Sequence, residues 1–187
     1  MKKVAVALAE GFEEIEAVSI IDVLRRAELD VVAISITGNL EVTGSHNIKI
    51  MADQLFEEVN YKTIEMIVLP GGMPGSANLN SHIGLNKQIL NFNKKGKALG
   101  AICAAPLVFG NLGILENKNA ICYPGFEKYL KGAKILDADI IQSDNIITGK
   151  GAGVAIKFAL KIVEKLKGKE LASKLAHKMI VEYKDSV

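Results

Sequence analysis

The order of hydrophobic and polar positions along this chain predicts alternating strands and helices. Short apolar runs rich in β-branched residues predict strands buried on both faces. These runs are Val4–Leu8, Val31–Ile36, Ile64–Leu69, Ala98–Ile102 and Ile146–Thr148. Longer segments with apolar residues at helical spacing predict helices at Glu13–Ala27, Ile83–Lys94, Ala104–Leu112 and Val154–Leu166. The alternation indicates an α/β fold whose mostly parallel sheet carries helices on both faces.

One segment departs from this alternation. Residues Leu40–Met51 contain Gly44 and Asn47 and alternate through residues 48–50, which predicts a small hairpin inserted after the second strand without fixing its register. No repeat of roughly 20 to 50 residues, linker or low-complexity tract interrupts the chain. The sequence therefore predicts a single domain over residues 1–187.

Composition and charge remove several classes of protein. Hydrophobic residues make up 49% of the chain, and 23 Lys and Arg against 21 Asp and Glu leave a formal net charge of +2. This balance is typical neither of a disordered chain nor of a nucleic-acid-binding domain. No apolar run reaches the roughly 18 residues of a membrane span, and Val4–Leu8 is too short for a signal peptide. Because the two cysteines form no disulfide or metal pattern, we expect a cytoplasmic protein that binds no metal.

A cysteine follows the fourth predicted strand, and ligands of parallel α/β sheets bind where strands end. In the run Ala101-Ile102-Cys103-Ala104-Ala105-Pro106, small residues flank Cys103 at a strand-to-helix turn. This pattern is typical of a nucleophile elbow, and the adjacent helix N-terminus predicts a lowered pKa for the Cys103 thiol. A small buried hydrophobic residue is the alternative for a free cysteine in an apolar run. Cys122, which precedes Tyr123-Pro124-Gly125, has no comparable context.

Glycines follow the third predicted strand in Leu69-Pro70-Gly71-Gly72. Glycine allows positive φ angles and close approach of the backbone, so Gly71 and Gly72 are candidates for an oxyanion or anion site. A tight turn without function is the alternative. This loop lacks the Lys-Ser/Thr of a phosphate-binding loop. A second glycine motif, residues 149–153, lacks the third glycine of a dinucleotide fingerprint because Ile156 stands in its place, and we interpret it as packing at the start of a helix. Neither motif indicates a nucleotide cofactor.

The first predicted helix begins with three carboxylates in Gly11-Phe12-Glu13-Glu14-Ile15-Glu16. Acidic residues near a helix N-terminus are favourable for electrostatic reasons alone, which accounts for the first two. Glu16 differs because the residues on its own helical face are apolar, namely Ile20, Val23 and Ala27. Burial raises the pKa of a carboxyl group and suits Glu16 to act as an acid and base or to donate a hydrogen bond to a thiolate. A locally paired glutamate is the alternative.

Together these motifs resemble the ThiJ/PfpI superfamily, in the branch typified by the parkinsonism-associated protein deglycase. The resemblance rests on G-F-E-E-I-E, L-P-G-G and A-I-C-A-A-P in that order and covers essentially the whole chain. It implies a flavodoxin-like three-layer sandwich, usually a homodimer, with Cys103 as nucleophile and Glu16 hydrogen-bonded to its sulfur. It also implies an oxyanion cradle from the N–H groups of Gly72 and Ala104. His46 falls where family members place a basic residue that reaches the partner subunit's site, and a surface-loop histidine is the alternative.

Two departures from the family pattern bear on function. PfpI-type peptidases carry a histidine directly after the cysteine, whereas this chain has Ala104, which argues against a peptidase. Some members of the deglycase branch have a histidine near the thiol where this chain has Tyr123. Tyr123 is therefore a candidate for substrate binding, and a conventional histidine base is missing, which predicts a slow enzyme.

The resemblance implies two functions that the sequence does not separate. In the first, the protein is a cofactor-independent cysteine enzyme of glyoxalase III or deglycase type, with Cys103 as nucleophile and Glu16 as acid and base. Its substrate would be a 2-oxoaldehyde such as methylglyoxal or a glycated protein. In the second, it is a redox-sensing or chaperone-like stress protein whose Cys103 oxidises to a sulfinic acid. A cysteine peptidase ranks third, and neither nucleic acid nor membrane is expected as a partner.

Overall fold

The observed elements follow the predicted alternation. A computed structural model describes residues 2–183, which form eleven strands and six α-helices. The strands are β1 (Lys3–Leu8), β2 (Asp30–Ser35), β3 (Glu41–Thr43), β4 (Lys49–Met51), β5 (Gln54–Leu55), β6 (Ile64–Leu69), β7 (Ala98–Ile102), β8 (Asn119–Ala120), β9 (Lys134–Ile135), β10 (Ile140–Ser143) and β11 (Ile146–Gly149). The helices are α1 (Glu14–Arg26), α2 (Gly75–Ser81), α3 (Ile83–Lys94), α4 (Pro106–Asn111), α5 (Ala155–Lys167) and α6 (Lys169–Lys178). The predicted domain of residues 1–187 includes residue 1 and residues 184–187, which lie outside the described residues.

Seven strands form one sheet in the order β10-β11-β7-β6-β1-β2-β5. All neighbouring strands in it run parallel except β10 and β11, which are antiparallel. The loops that follow the central strands β1, β6 and β7 therefore meet at the carboxyl ends of these strands. Because Leu69 is paired with Ala101, the residues two positions further on, Gly71 and Cys103, lie close together there.

Apolar side chains form one layer on each face of the sheet. In β1, Val4 and Val6 pack in the layer that contains the buried residues of α1, α5 and α6, whereas Ala5 and Ala7 pack in the layer of α2, α3 and α4. Strands covered on both faces bury both sets of alternating side chains, which explains the continuous apolar runs in the sequence. The architecture is the flavodoxin-like three-layer sandwich that the resemblance implied.

The predicted hairpin is formed by β3 and β4, with Val42 opposite Ile50. The sequence pattern did not predict α2, α6, β5, β8, β9 and β10. Three of these strands have only two residues, and the two helices bury mostly small side chains, so their periodicity is weak. Within residues 2–183, no helix has the length and apolar content needed to cross a membrane.

Candidate active site

Cys103 lies at a sharp turn directly after β7. Its φ angle is +62°, in the left-handed region that residues other than glycine rarely adopt. The Cys103 N–H donates a hydrogen bond of 2.9 Å to the carbonyl of Gly149, and the Tyr123 N–H donates one of 2.8 Å to the Cys103 carbonyl. Because residues 103–105 form the turn, α4 begins at Pro106, two residues later than predicted. The turn has the geometry of a nucleophile elbow and leaves the thiol half-buried.

Glu16 reaches this turn from the first turn of α1. The residue is fully buried, and its Oε2 accepts a hydrogen bond of 2.7 Å from the N–H of Gly71. Its carboxyl group also interacts with the thiol of Cys103. Burial raises the pKa of Glu16 to about 7, against the opposing effects of the Gly71 N–H and the thiol. The burial and the raised pKa agree with the prediction from helical spacing.

The other oxygen of Glu16 indicates where a proton would lie. Glu16 Oε1 is buried and has no nitrogen or oxygen partner among the described residues. An unpaired buried carboxylate oxygen is costly, whereas a protonated oxygen becomes a donor that needs one acceptor. The carboxyl group interacts with the Cys103 side chain, whose sulfur can act as that acceptor.

While Glu16 is ionised, the pKa of Cys103 is raised, and the prediction of a lowered value is wrong for that state of the pair. Burial and the neighbouring Glu16 carboxylate raise the pKa of the thiol to about 12, whereas the N–H groups of Gly72 and Ala104 act in the opposite direction. The prediction relied on the helix N-terminus, but the first residue of α4 is Pro106, which has no N–H. Because the two groups interact closely, they titrate as a pair that loses one proton near pH 7 and the second near pH 12.

Between these values the pair holds one proton and one negative charge, and its surroundings favour the charge on sulfur. A thiolate accepts hydrogen bonds from the N–H groups of Gly72 and Ala104 and from a protonated Glu16. A Glu16 carboxylate would accept one from the Gly71 N–H and a weak one from the thiol. Two backbone N–H donors face the sulfur and one faces the carboxylate, so these contacts favour a thiolate beside a carboxylic acid, whereas burial of the sulfur opposes it.

Gly71 and Gly72 allow this close approach because they lack side chains. A Cβ atom on Gly71 would lie 2.6 Å from the Cβ of Cys103 and 2.8 Å from Oε2 of Glu16. Gly72 has a φ of +90°, and a Cβ atom there would lie 2.5 Å from the backbone nitrogen of Glu13. The loop therefore does more than reverse the chain, because it holds the pair together and directs N–H groups at both members.

Glu14 is a buried carboxylate that the sequence analysis attributed to helix electrostatics alone. Its Oε1 accepts a hydrogen bond of 2.6 Å from the His46 N–H, and its Oε2 lies 2.8 Å from Nδ1 of the same residue. Burial raises its pKa, but hydrogen bonds from His46 and Ile48 outweigh that effect and lower the pKa of Glu14 to about 2. Glu14 thus fastens the β3–β4 hairpin to α1. The His46 side chain is 71% exposed, and its contact with a partner subunit stays a prediction.

A group of potential metal ligands lies where α1 contacts the β3–β4 hairpin. Glu13, Glu14 and His46 each offer one ligand atom, and these atoms lie within 4.8 Å of one another. Glu13 Oε2 already accepts a hydrogen bond of 2.7 Å from the Glu16 N–H as the N-cap of α1. Both oxygens of Glu14 are bonded to the hairpin. The carboxylates therefore have protein partners, and the cluster does not support a metal site.

The loop that contains Cys122 and Tyr123 lies beside the elbow. Tyr123 is half exposed, and its backbone N–H donates to the Cys103 carbonyl, while its role in substrate binding stays a prediction. Cys122 is buried, and burial raises the pKa of its thiol to about 12.

The sequence pattern did not predict the contribution of β11. The glycines of residues 149–153 were interpreted as helix packing, yet the carbonyl of Gly149 holds the Cys103 N–H. The preceding residue, Thr148, is buried, and its hydroxyl accepts a hydrogen bond of 3.0 Å from the N–H of Ile121. Only the fold reveals this role, because both contacts join residues that are distant in sequence.

Known proteins are similar to this chain in sequence and in fold. A sequence model described as the DJ-1/PfpI family matches residues 2–165. Protein DJ-1 homolog B of Arabidopsis thaliana is 37% identical over 182 residues, which are 96% of this chain and 42% of that protein, so this chain spans less than half of that relative. The glutathione-independent glyoxalase DJR-1.2 of Caenorhabditis elegans is 36% identical over 167 residues, or 89% of each protein. The solved structure of oxidized Toxoplasma gondii DJ-1 has a TM-score of 0.94 and 37% identity, covering 98% of this chain and 100% of that one.

Proposed function

The chain belongs to the DJ-1/PfpI family, and from that premise we propose that it is a cofactor-independent cysteine enzyme acting on 2-oxoaldehydes or on their adducts with proteins. The observation that carries the proposal is the pair at the elbow, in which Cys103 lies beside a buried acid, Glu16, with a pKa of about 7. A group with that pKa can both give and take a proton at neutral pH. The name of the Caenorhabditis relative, a glutathione-independent glyoxalase, supports a 2-oxoaldehyde as the substrate.

The pair and its N–H donors supply each step of this reaction. The Cys103 thiolate forms a C–S bond to the aldehyde carbon, and the carbonyl electron pair becomes an alkoxide next to the N–H groups of Gly72 and Ala104. The proton of Glu16 converts the alkoxide into a hemithioacetal hydroxyl. The Glu16 carboxylate then takes the proton from that carbon and returns it to the neighbouring carbon, while the hydroxyl proton moves to the neighbouring oxygen. The product is the thioester of a 2-hydroxy acid, and water hydrolyses it to the hydroxy acid and the one-proton pair.

Turnover of methylglyoxal to lactate tests the proposal. We expect lactate from the wild type, none above background from Cys103→Ala, and a loss of about 10²- to 10⁴-fold in kcat for Glu16→Gln. Cys122→Ala is the matched control, because it removes the other, buried thiol and should leave the rate unchanged. A wild type that turns over methylglyoxal no faster than Cys103→Ala would end the proposal.

The same donors favour a second function, redox sensing by Cys103. Two-step oxidation by peroxide converts the thiolate to a sulfinate, whose oxygens would accept hydrogen bonds from the N–H groups of Gly72 and Ala104 and from protonated Glu16. Mass spectrometry under mild peroxide should show a selective gain of two oxygens at Cys103. Oxygen spread evenly over the methionines and Cys122 would contradict this function.

We also propose that a second copy of the chain covers an apolar face beside the site. Four side chains on α1 and the β3–β4 hairpin are between 50% and 63% exposed: Ile15, Val18, Ile48 and Met51. Glu14 joins these two elements, and His46 lies at the same place, from which it would reach the partner's site. A patch of this kind on neighbouring elements is typical of an interface.

Sedimentation of purified protein tests the dimer. We expect a dimer for the wild type and a monomer for Val18→Asp. Ile83→Asp is the matched control, because Ile83 is 71% exposed at the start of α3, on the opposite face of the sheet. A dimer that persists in Val18→Asp would exclude this face.

The proposed reaction requires a cellular compartment that keeps the Cys103 thiol reduced. Both cysteines are free, and the proposed reaction needs a reduced Cys103, so we propose a reducing, cytoplasmic location. The proposed partners are small reactive carbonyl compounds or glycated proteins.

A further inference from the structure

Thr148 occupies a buried position on β11 with an unusual contact. The residue is 1% exposed, and its Oγ1 accepts a hydrogen bond of 3.0 Å from the backbone N–H of Ile121, which is 5% exposed. A buried backbone N–H needs a partner, and here a side chain provides it in place of a neighbouring strand. The hydroxyl of Thr148 therefore determines where the segment of residues 121–123 lies against the sheet.

That segment ends at the elbow. The N–H of Tyr123 donates to the carbonyl of Cys103 at 2.8 Å. The Tyr123 ring lies over the turn after β11, where a Cβ atom on Gly151 would meet it at 3.4 Å. Gly149, the residue after Thr148, accepts the N–H of Cys103. Adjacent residues of β11 thus hold the elbow and the segment that carries Tyr123.

We propose that Thr148 is a positioning residue that sets the separation between the Tyr123 side chain and the sulfur of Cys103, and with it the width of the substrate site. This inference rests on the proposed function. Thr148 acts through Ile121 and does not touch the reacting pair. Valine has the shape of threonine without the acceptor, so Thr148→Val leaves the Ile121 N–H buried and unpaired until the segment shifts. Serine keeps the acceptor.

The experiment compares Thr148→Val, Thr148→Ser and Ser35→Ala with the wild type. Ser35→Ala is the matched control, because it removes a buried hydroxyl from the end of β2, where its partner is Thr37. In Thr148→Val we expect hydrogen exchange of the Ile121 amide to become about tenfold faster. We expect kcat/KM for methylglyoxal to fall about tenfold, mostly through KM, which corresponds to ~1.4 kcal/mol. Thr148→Ser and Ser35→Ala should stay near the wild type in both measurements.

Several results would overturn the inference. One is an Ile121 amide that exchanges as slowly in Thr148→Val as in the wild type. Another is a loss of activity in Thr148→Val that affects kcat alone. The third is a Thr148→Ser variant that folds but does not have the KM of the wild type. A wild type without turnover would overturn the proposed function instead. Thr148 would then be judged by amide exchange and by the relative rates at which iodoacetamide and a bulky maleimide alkylate Cys103. The ratio of the two alkylation rates should differ from the wild-type value in Thr148→Val and equal it in Thr148→Ser. A wild-type ratio in Thr148→Val would exclude the positioning role.

Discussion

Replacement of Glu16 by glutamine removes the titrating partner of Cys103 and keeps a neutral side chain of the same length. With a thiolate beside a protonated Glu16 as the one-proton state, the thiolate forms as the pair loses its first proton, near pH 7. In Glu16→Gln the thiol titrates alone, and burial holds its pKa at or above the ordinary value of 9.0. We therefore expect the midpoint of thiolate formation to rise by about two pH units or more.

The size of this change decides how it must be measured. Two pH units correspond to ~2.7 kcal/mol of thiolate stabilisation. At about pH 8 the thiolate fraction would be about 90% in the wild type and about 10% or less in the variant. A thiolate of higher pKa is also more nucleophilic, by about eightfold for two units. The two effects nearly cancel in an alkylation rate at one pH, so the midpoint is the quantity to compare.

Ultraviolet absorbance of the thiolate gives this midpoint directly, in a Cys122→Ala background that leaves one thiol. Glu13→Gln is the matched control, because its side-chain oxygen still accepts the Glu16 N–H while the charge that raises the Glu16 pKa is gone. Its midpoint should fall slightly below that of the wild type. A midpoint for Glu16→Gln equal to or below that of the wild type would refute the coupled pair.

Three further predictions concern the surroundings of the pair. The pKa of Glu14 is lowered from 4.5 to about 2, so this carboxylate stabilises the fold above pH 4.5, and its contribution is lost as the pH falls towards 2. The shift corresponds to at most ~3 kcal/mol, reduced by about half because the His46 ring is exposed. In urea denaturation at about pH 7, the free energy of unfolding of Glu14→Gln should be ~1–2 kcal/mol lower than that of the wild type, and it should fall less as the pH is lowered. Equal free energies of unfolding for the two proteins would contradict this role. Gly71→Ala should abolish turnover and the titration near pH 7 in a folded protein, because its Cβ would collide with Cys103. Gly153→Ala, whose Cβ meets nothing within 4 Å, should preserve both, and an active Gly71→Ala would refute the packing argument. Finally, kcat/KM should rise with pH through about 7, because the one-proton pair is the active form, and a flat profile would contradict it.

The elements that carry the site could be predicted because their causes are local. A strand covered on both faces needs a continuous apolar run, and the predicted bounds Ile64–Leu69 and Ala98–Ile102 coincide with β6 and β7. An amphipathic spacing likewise predicted Ile83–Lys94, which coincides with α3. The same reasoning failed for α2, whose largest buried side chain is that of Leu79. Elements that bury little apolar surface leave little trace in the pattern.

The electrostatics of the site could not be predicted in the same way, because they depend on partners that the fold brings in from other segments. Glu13, Glu14 and Glu16 lie within one helical turn and look alike in the sequence. Successive side chains of a helix point in different directions, so each carboxylate meets a different partner. The first caps its own helix, the second meets His46 of the hairpin, and the third meets Gly71 and the thiol. Several hydrogen bonds from the hairpin keep Glu14 ionised, whereas burial with few donors lets Glu16 keep a proton at neutral pH. The ability of this turn to perform acid–base chemistry is therefore determined by the loops that the parallel sheet places against it.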